Sequence, residues 1–528
     1  MLAFLRQAFR GSRERLRAPL RAATWNGRAL KLLFDGSDIA TVALDIDGAY
    51  FIEIPVDAEG RARCDFAYSP SGHRAFDVMP RQSRFGASLA ERPLRLTIGV
   101  AGIGAGGRDA TLPLAPLLDP AQRVPFGVDA AAHDVAIVVP VYNAPLLVER
   151  CLDAVLAHTT GRARLIVIDD ASPDPAVAPL LARYAHIRGV EILRNPSNRG
   201  FTATANRGID AAGAADVVLL NADAEVAPNW LSGLRRAACS HDDIGTVTAV
   251  SDNAGAFSVP ELEQTNELPA TWDFEQAARA LWQQAGLAYP QLPTGNGFCL
   301  YIRRAVLDKV GTLDEAAFPQ GYGEENDFCQ RAAQAGWRHL IAGNVLVRHA
   351  RSQSFGEDRR RSLGIAGMAV LRERWPDYEA EVGRTLRSFE RCVLDWRVRR
   401  LFADARSGSA SAAKPRLLWV GKDAPAISDA EVWVLRANGS ANELVHDGQV
   451  VAANTWQADN AEASYRVLWD WLQVYAIERL LVIERKESAA EILCRLLDIP
   501  ILAIDTATDV GVRASLRAAQ TSAASFVA

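Results

Sequence analysis

Cysteine is scarce in this sequence, with seven residues among 528 and no Cys-x-x-Cys pair. Such an odd, scattered set argues against a disulfide framework and favours reduced thiols in the cytosol. Long apolar runs are also missing, because no stretch approaches the roughly 20 residues that a membrane-spanning helix needs. No apolar segment follows the N-terminal charges, so no secretory signal peptide is predicted. The net charge of −5 gives no general attraction to nucleic acid or anionic lipid.

One short region departs from this balance. Residues 1–24 carry six arginines between positions 6 and 21 against a single Glu14, with leucine and phenylalanine between them. This pattern predicts a basic amphipathic leader, and a helix lying on a membrane surface is one interpretation. A frayed basic segment is the other.

The chain is long enough for about three domains. Residues 25–125 contain strand-like runs at 30–34, 39–44, 50–54 and 94–100, with Asp-Gly turn dipeptides at 35–36 and 47–48. We predict a β-rich accessory domain here. Glycan binding is one interpretation of its role, and packing or spacing is the alternative.

Residues 130–403 alternate between apolar, β-branched runs and helical patterns. Strands are predicted at 135–139, 165–168, 190–193, 217–220 and 344–347, and helices at 145–158, 176–184, 202–212 and 384–402. This alternation predicts βαβ crossovers and a parallel sheet. A linker of small residues at 404–414 leads to a smaller, Rossmann-like α/β domain at 415–510 and a tail at 511–528. In that domain we predict strands at 416–420, 479–483 and 501–504 and helices at 461–474 and 488–497.

Polar residues follow three of the predicted strands. They are Pro140-Val141-Tyr142-Asn143, Asp169-Asp170-Ala171-Ser172 and Asn221-Ala222-Asp223. The carboxyl ends of parallel strands form a crevice that binds ligands in open α/β sheets. A tyrosine ring can stack on a base or sugar, and Asp170 is predicted to contact the ligand. Ser172 is predicted to cap the next helix instead.

The segment that opens the following helix carries further candidates. Asn198 and Gly200 precede it, and glycine permits close approach of the backbone to a ligand. Asn206 lies inside the helix, where asparagine is mildly disfavoured. It either braces a nucleotide-binding loop or makes purely structural hydrogen bonds.

Acidic residues and one histidine predict metal-assisted chemistry on a phosphorylated substrate. Asp223 is the type of ligand that Mg²⁺ or Mn²⁺ binds while keeping waters and substrate phosphates, and His349 is a second candidate. Glu324-Glu325-Asn326-Asp327 opens a helix after Gly321-Tyr322-Gly323, where a carboxylate could act as a general base. Helix-dipole stabilisation explains one of these three acids. Gly295-Asn296-Gly297 is predicted to be a loop or an acceptor-side contact.

Seven sequence blocks carry a family resemblance. In chain order they are VAIVVPVYNAP, LIVIDDASPD, NPSNRGFTATANRGI, VVLLNADAEVAPNWL, GNGFCLYIRRAVLDKVG, GYGEENDFCQRAAQAGW and VLVRHARSQSFG. Together they resemble a family 2 glycosyltransferase with the GT-A fold, from about residue 133 to 356. The fold expected is therefore α/β, a GT-A core with an N-terminal β-rich domain and a small C-terminal Rossmann-like domain.

The resemblance implies a role for each matching residue. The nucleotide-sugar contacts would be Pro140, Tyr142, Asn143, Asp170, Asn198, Gly200, Asn206, Asn221 and Ala222. Asn221-Ala222-Asp223 stands where the family has its DxD motif, so Asp223 would bind Mn²⁺ or Mg²⁺, with His349 joining the shell. Glu325 stands at the position of the catalytic base, and Glu324 would contact the acceptor.

Two positions depart from the usual family pattern. Asn221 replaces the first aspartate of the DxD motif, and Glu325 replaces the more usual aspartate at the base position. One extra methylene moves a carboxylate by about 1 Å, which is enough to change rates strongly. Asp327 is therefore a competing candidate for the base.

The resemblance implies an inverting glycosyltransferase that moves a sugar from a nucleotide-diphosphate donor to a hydroxyl of a glycan acceptor. Its setting would be bacterial cell-surface polysaccharide synthesis in the cytoplasm, with a lipid-linked acceptor and peripheral contact with the inner membrane as further expectations. One alternative is a catalytically weak glycan- or nucleotide-sugar-binding scaffold. A nucleotidyltransferase is another. The C-terminal domain loosely resembles the N-terminal half of a GT-B enzyme and is expected to bind acceptor or protein.

Overall fold

The computed structural model describes residues 16–35, 39–99, 135–159, 163–285, 289–350, 357–422, 424–425, 427–455, 467–468, 470–472, 474–483, 488–496 and 499–504. Most of the predicted leader, the tail, and parts of the predicted helix 461–474 lie outside these residues. The chain forms two compact units. One combines the N-terminal strands with Arg387–Arg400, and the other contains the remaining elements.

The first unit is built from seven short strands in two antiparallel sheets. The strands are β1 (Leu20–Trp25), β2 (Ala29–Phe34), β3 (Thr41–Ile46), β4 (Ala49–Pro55), β5 (Arg61–Asp65), β6 (Ala75–Arg81) and β7 (Leu94–Thr97). Their orders are β1-β2-β5 and β4-β3-β6-β7. Asp47 and Gly48 both have positive φ, as a two-residue hairpin turn requires. The Phe66 ring packs against Phe51 and Phe389, so aromatic side chains form part of this core.

The second unit contains a seven-stranded sheet with helices between its strands. Its elements begin with β8 (Val135–Val141), α1 (Pro145–His158), β9 (Arg164–Asp169), α2 (Val177–Ala182), β10 (Val190–Arg194), α3 (Phe201–Ala212), β11 (Asp216–Leu220), β12 (Ala224–Glu225), α4 (Trp230–Ala238) and β13 (Ile244–Val250). They continue with α5 (Phe274–Gln284), β14 (Cys299–Ile302), α6 (Arg304–Val310), α7 (Glu324–Gln334), β15 (Arg338–Leu346) and β16 (Arg348–His349). The sheet order is β10-β9-β8-β11-β14-β13-β15.

The predicted α/β core with a parallel sheet is confirmed, with one antiparallel strand. Strands β10, β9, β8 and β11 pair in parallel, whereas β14 runs antiparallel to both of its neighbours. The chain proceeds from β8 to one side of the sheet and then crosses to β11 on the other side of β8. This reversal of strand order places a crevice at the carboxyl ends of β8 and β11.

Three helices follow this sheet: α8 (Glu357–Arg374), α9 (Tyr378–Thr385) and α10 (Phe389–Arg406). The helix predicted at 384–402 is confirmed from Phe389 onward, whereas its predicted start is wrong because a turn at 386–388 separates α9 from α10. Ser388 accepts a hydrogen bond from the Arg391 N–H at 3.2 Å, which satisfies a free amide at the start of α10. Since α10 contributes to both compact units, the domain boundaries stay predictions.

The C-terminal part holds a six-stranded sheet. Its elements are β17 (Arg416–Val420), β18 (Glu431–Asn438), β19 (Ala441–His446), β20 (Gln449–Thr455), β21 (Arg479–Val482), α11 (Ala489–Leu496) and β22 (Ile501–Ala503). Parallel pairing is limited to β18, β17, β21 and β22, while β18, β19 and β20 form an antiparallel meander. The meander departs from a Rossmann-like arrangement. Its turns carry Asn438-Gly439 and Asp447-Gly448, dipeptides that signal hairpins.

Two expectations from composition can be compared with the structure. All seven cysteines are free thiols, and five of them are buried. No helix in the described part of the chain is both long and apolar enough to cross a membrane.

Candidate functional site

A cavity of about 580 Å³ lies at the crevice between β8 and β11. That volume is typical of small-molecule sites. Of the predicted site residues, twelve line it: Pro140, Tyr142, Asn143, Asp170, Asn198, Gly200, Asn221, Ala222, Asp223, Glu324, Glu325 and His349. Two predicted site residues, Asn206 and Asp327, do not.

The loop after β8 is held in an uncommon backbone conformation. Asn143 and Ala144 have φ values of 60° and 53°, a region that non-glycine residues rarely occupy. The Ser172 hydroxyl accepts the Asn143 N–H at 2.9 Å, and the Asn143 side chain accepts the Asp174 N–H at 3.2 Å. The prediction that Ser172 caps the next helix is therefore wrong, because its hydroxyl braces this loop and α2 begins at Val177.

Asp170 organises the opposite wall of the cavity. It is 4% exposed, and its oxygens accept hydrogen bonds from the Asn195 side chain at 2.7 Å, the Arg199 N–H at 2.8 Å and the Gly200 N–H at 3.0 Å. These bonds fix the loop that carries Asn198 toward the cavity. Asp170 thus shapes the site through the loop, and its direct contact with a ligand stays a prediction.

We expect Asp170→Asn to destabilise the protein. The amide group would present its own N–H to a backbone donor, so at least one hydrogen bond is lost and a buried donor is left unpaired, at a cost of about 2–3 kcal/mol. Thermal unfolding should then shift down by roughly 5–10 °C.

The matched control is Asp210→Asn, because Asp210 is exposed on α3. Its melting temperature should stay within about 1 °C of the wild type, since surface changes have small effects. Equal melting temperatures for the Asp170 variant and the wild type would contradict the bracing role.

Gly200 and Asn206 fit the structure for different reasons. Gly200 has a φ of 84°, and a Cβ atom there would lie 2.3 Å from the Pro319 carbonyl oxygen, so only glycine fits without displacement. The Asn206 amide donates to the Leu313 carbonyl at 2.9 Å and accepts the Leu313 N–H at 3.1 Å. Asn206 therefore ties α3 to the loop before α7, which supports the purely structural alternative.

Asp223 and His349 meet at the cavity although 126 positions separate them in the chain (349 − 223). The short strands β12 and β16 pair antiparallel, with Ala224 opposite His349, and this brings the histidine beside Asp223. The Asp223 Oδ1 lies 3.4 Å from the His349 Nε2, and the Asp223 Oδ2 is buried without a hydrogen-bond partner. The Asn221 amide nitrogen is also 3.4 Å from the same Nε2.

The orientation of His349 suits metal binding. Its Nδ1 lies 3.2 Å from the Asn253 carbonyl oxygen, which only accepts hydrogen bonds, so Nδ1 carries the proton. The Nε2 lone pair then points toward the cavity and the Asp223 carboxylate. The His349 Nε2 and the Asp223 Oδ1 are 3.4 Å apart, and both offer an electron pair. Together with the unpaired Asp223 Oδ2, this pair fits a shared divalent cation.

These two side chains form an incomplete ligand set. Within the described residues, no three His, Cys, Asp or Glu side chains converge in a way that could hold a metal ion. Mg²⁺ and Mn²⁺ commonly take one or two carboxylates and complete their shell with waters and substrate phosphates. The pair therefore fits a metal that is held jointly with a diphosphate.

Glu324 and Glu325 are adjacent acidic residues at the start of α7. Burial raises the pKa of Glu324 well above its usual range, and the neighbouring Glu325 charge raises it further. Burial also raises the pKa of Glu325, while hydrogen bonds from its own N–H, from Glu324 and from the Gly297 N–H oppose the shift. The hydrogen bond between the two side chains raises the pKa of Glu324 and lowers that of Glu325, which favours Glu325 as the carboxylate of the pair. The Glu325 Oε2 is buried without a partner.

The Gly297 contact gives a position to the segment 295–297, which had no firm role from sequence. Gly295 donates its N–H to the Cys329 sulfur at 3.1 Å, and Asn296 donates its N–H to the Thr248 hydroxyl at 3.3 Å. Asn296 and Gly297 line the cavity.

Sequence reasoning also missed Asn195, the partner of Asp170, because a single asparagine before a proline carries no distinctive signal.

Asp327, the competing candidate for the base, does not line the cavity. It is fully buried, and its oxygens accept hydrogen bonds from Arg331 at 2.9 Å, Arg374 at 3.0 Å and the Trp375 indole at 3.1 Å. It lies in the first turn of α7 with Glu324 and Glu325, but instead of lining the cavity it ties α7 to Arg374 of α8. A carboxylate so engaged cannot reach a hydroxyl in the cavity.

Comparisons with known proteins show a likeness to glycosyltransferases. Residues 136–311 match the family described as Glycosyl transferase family 2. A pre-mycofactocin glycosyltransferase of Mycobacterium tuberculosis (strain ATCC 25618 / H37Rv) is 27% identical over 268 residues, which cover 50% of this chain and 53% of that protein. Glycosyltransferase AglE of Haloferax volcanii is 24% identical over 225 residues, 42% of this chain and 68% of that protein. The chain thus spans about half the length of the mycobacterial relative.

Solved structures give weaker likenesses. The mannosyltransferase PcManGT from Pyrobaculum calidifontis, in complex with GDP-Man and Mn²⁺, has a TM-score of 0.35 and 17% identity over 55% of this chain and 79% of that chain. Likenesses at this level do not transfer a ligand. The likeness to glycosyltransferase family 2 therefore lies in the central part of this chain, where residues 136–311 match the family and the sequence relatives are glycosyltransferases.

Proposed function

We propose that the protein transfers a sugar from a nucleotide-diphosphate donor to a hydroxyl of a glycan acceptor, with inversion at the anomeric carbon. One observation carries this proposal most strongly. The carboxylate of Glu325, with one oxygen buried and unpaired, lines the same cavity as the Asp223–His349 pair. Such a displacement needs a base and a group that stabilises the leaving diphosphate, and a metal-binding pair in the same cavity would supply the second.

The geometry supports Glu325 as the base. A general base works best when its pKa lies near the working pH, and burial moves the Glu325 pKa in that direction. Hydrogen bonds from the Glu324 side chain and the Gly297 N–H lower the pKa of Glu325 and orient its carboxylate. Glu325 would take the proton of the acceptor hydroxyl while that oxygen bonds to the anomeric carbon. The bond from that carbon to the diphosphate oxygen breaks on the opposite face.

Asp223 and His349 would hold a divalent cation, Mn²⁺ or Mg²⁺. When bound, such a cation would neutralise the charge that develops on the leaving diphosphate. Asn221 can donate its amide N–H to a phosphate or ribose oxygen. Tyr142 lies at the end of β8 and lines the cavity, where its ring can stack on the base or sugar of the donor.

The structure disfavours a scaffold that only binds. The Asp223 Oδ2 and the Glu325 Oε2 are both buried without hydrogen-bond partners. Unpaired buried acceptors lower stability, so their presence needs a compensating reason. A binding scaffold would not need a base. Transfer chemistry needs a carboxylate that binds the metal and a carboxylate that acts as the base. The two unpaired oxygens therefore support the enzyme over the scaffold.

A panel of nucleotide sugars tests the proposal. The full chain is incubated with UDP-, GDP- and dTDP-linked donors, with Mn²⁺, with Mg²⁺ and with EDTA, and release of nucleotide is measured. We expect slow metal-dependent release from one donor class, because water can replace the acceptor at a low rate. Binding of a donor by calorimetry without any metal-dependent release in the whole panel would favour the scaffold.

The biological setting is a separate part of the proposal. We propose a role in bacterial cell-surface polysaccharide synthesis in the cytoplasm, with an acceptor that is lipid-linked at the inner membrane. The family resemblance of the central domain supports this setting. The basic leader that would contact the membrane lies mainly outside the described residues.

A further inference from the structure

A second cavity lies in the C-terminal sheet and belongs to no part of the proposed reaction. Its volume is about 710 Å³, larger than the first cavity and within the range of ligand sites. It opens where β17 ends at Val420 and where β18 ends, beside the first residues of α11. The carboxyl ends of parallel strands and the start of a helix meet there. In open α/β sheets this edge binds ligands.

The polar side chains of this cavity are two cations and four neutral groups, Ser440, Asn442, Asn454 and Ser488, which can both donate and accept hydrogen bonds. Lys422 and Arg436 line it, and none of the described residues that line it carries a carboxylate. Arg436 is paired with Glu443 at 2.9 Å, outside the lining, so Lys422 supplies most of the unbalanced positive charge.

Two cations and no carboxylate among the described lining residues favour a ligand that carries negative charge. A phosphate group supplies that charge and accepts hydrogen bonds from lysine, serine and asparagine side chains. The remaining walls are apolar, and Trp471 provides an aromatic face on which a planar base can stack.

We propose that this cavity is a second nucleotide site that binds without a divalent metal. The phosphate would lie between Lys422 and the start of α11, and the base would lie against Trp471. This inference does not depend on the proposed transferase activity, because no residue of the first cavity takes part.

Calorimetric titration of the full-length protein with UDP and GDP in EDTA tests the proposal. Lys422→Glu should weaken one nucleotide-binding event by roughly tenfold or more, because it replaces a charge-assisted contact with repulsion. The matched control Lys309→Glu changes an exposed lysine on α6 that lines neither cavity, and it should bind as the wild type does. Trp471→Ala should weaken the same event by roughly tenfold if the base stacks there. Melting temperatures verify that both variants are folded.

The outcomes are distinct. Loss of metal-independent nucleotide binding in Lys422→Glu but not in Lys309→Glu would support the site. Unchanged nucleotide binding in Lys422→Glu, or no binding in EDTA by the wild type, would overturn it. Binding of inorganic phosphate or glucose 1-phosphate as tightly as UDP would overturn the nucleotide assignment. Donor turnover should be equal in Lys422→Glu and the wild type, because Lys422 does not line the first cavity. The nucleotide-binding result is measured without turnover, so failure of the proposed transferase activity would not affect it.

Discussion

Glu325→Gln is expected to lower kcat/KM for sugar transfer by about 10²–10⁴-fold, the usual contribution of a general base. Glutamine has the same shape and can still accept the Gly297 N–H, but it cannot take a proton from the acceptor. Donor binding should stay close to the wild-type level, because the Asp223–His349 pair is unchanged. Initial rates with the donor identified in the nucleotide-sugar panel, together with donor titration, measure both effects.

The pH profile separates loss of a base from general damage. Because the pKa of Glu325 is raised in the folded protein, wild-type activity should fall as the pH decreases through that raised value, where the carboxylate becomes protonated. The residual activity of Glu325→Gln should lack this acidic decline. Glu373→Gln, an exposed change on α8, should retain both the rate and the profile. Near-normal turnover by Glu325→Gln would remove this residue from the base role.

Glu325→Asp addresses the departure from the usual family residue. The shorter side chain withdraws the carboxylate by about 1 Å, and a misplacement of this size can lower the rate by about 10²-fold. We expect the aspartate variant to lie between the wild type and Glu325→Gln. Recovery of the full wild-type rate would mean that the loop at 295–297 adjusts to the shorter side chain.

Asp223→Asn is expected to reduce metal-dependent transfer about 10³-fold, which corresponds to about 4 kcal/mol of transition-state stabilisation. The amide keeps the shape of the side chain but removes the charge that a divalent cation needs. Folding should not suffer, because the Asp223 Oδ2 has no hydrogen bond to lose. The melting temperature should equal or exceed that of the wild type, as when functional strain is relieved.

The control for this variant is Glu225→Gln, two residues along the chain. Glu225 is half-buried on β12 and forms an ion pair with Arg348 at 3.3 Å, so it shares the local strand pairing without lining the cavity. Its activity should stay within about twofold of the wild type, because exposed ion pairs contribute little. Transfer by Asp223→Asn within tenfold of the wild type would contradict the metal assignment. Direct Mn²⁺ titration of both variants supplies a readout independent of turnover.

Local patterns in the sequence were sufficient to predict most strands of the central sheet. Helix α1 has the predicted bounds, because proline at its first position and an apolar face with helical spacing define both its start and its extent. Strands β8, β9 and β11 extend the predicted runs by one or two residues. Strand β14 was missed, since its four residues follow a glycine-containing loop and show no alternation. The β18–β20 meander was missed although both of its turns carry hairpin dipeptides.

Sequence by itself determined which residue types stand at the strand ends, and hence the family and the kind of chemistry to expect. Tertiary structure decided which of those residues act together. The pairing of β12 with β16 brings His349 to Asp223, and no local pattern encodes that contact. Packing of α7 against α8 turns Asp327 away from the cavity, while Gly297, distant in the chain, reaches Glu325. The physical reason is that backbone propensity acts over a few residues, whereas burial and hydrogen bonding of a side chain depend on neighbours far along the chain.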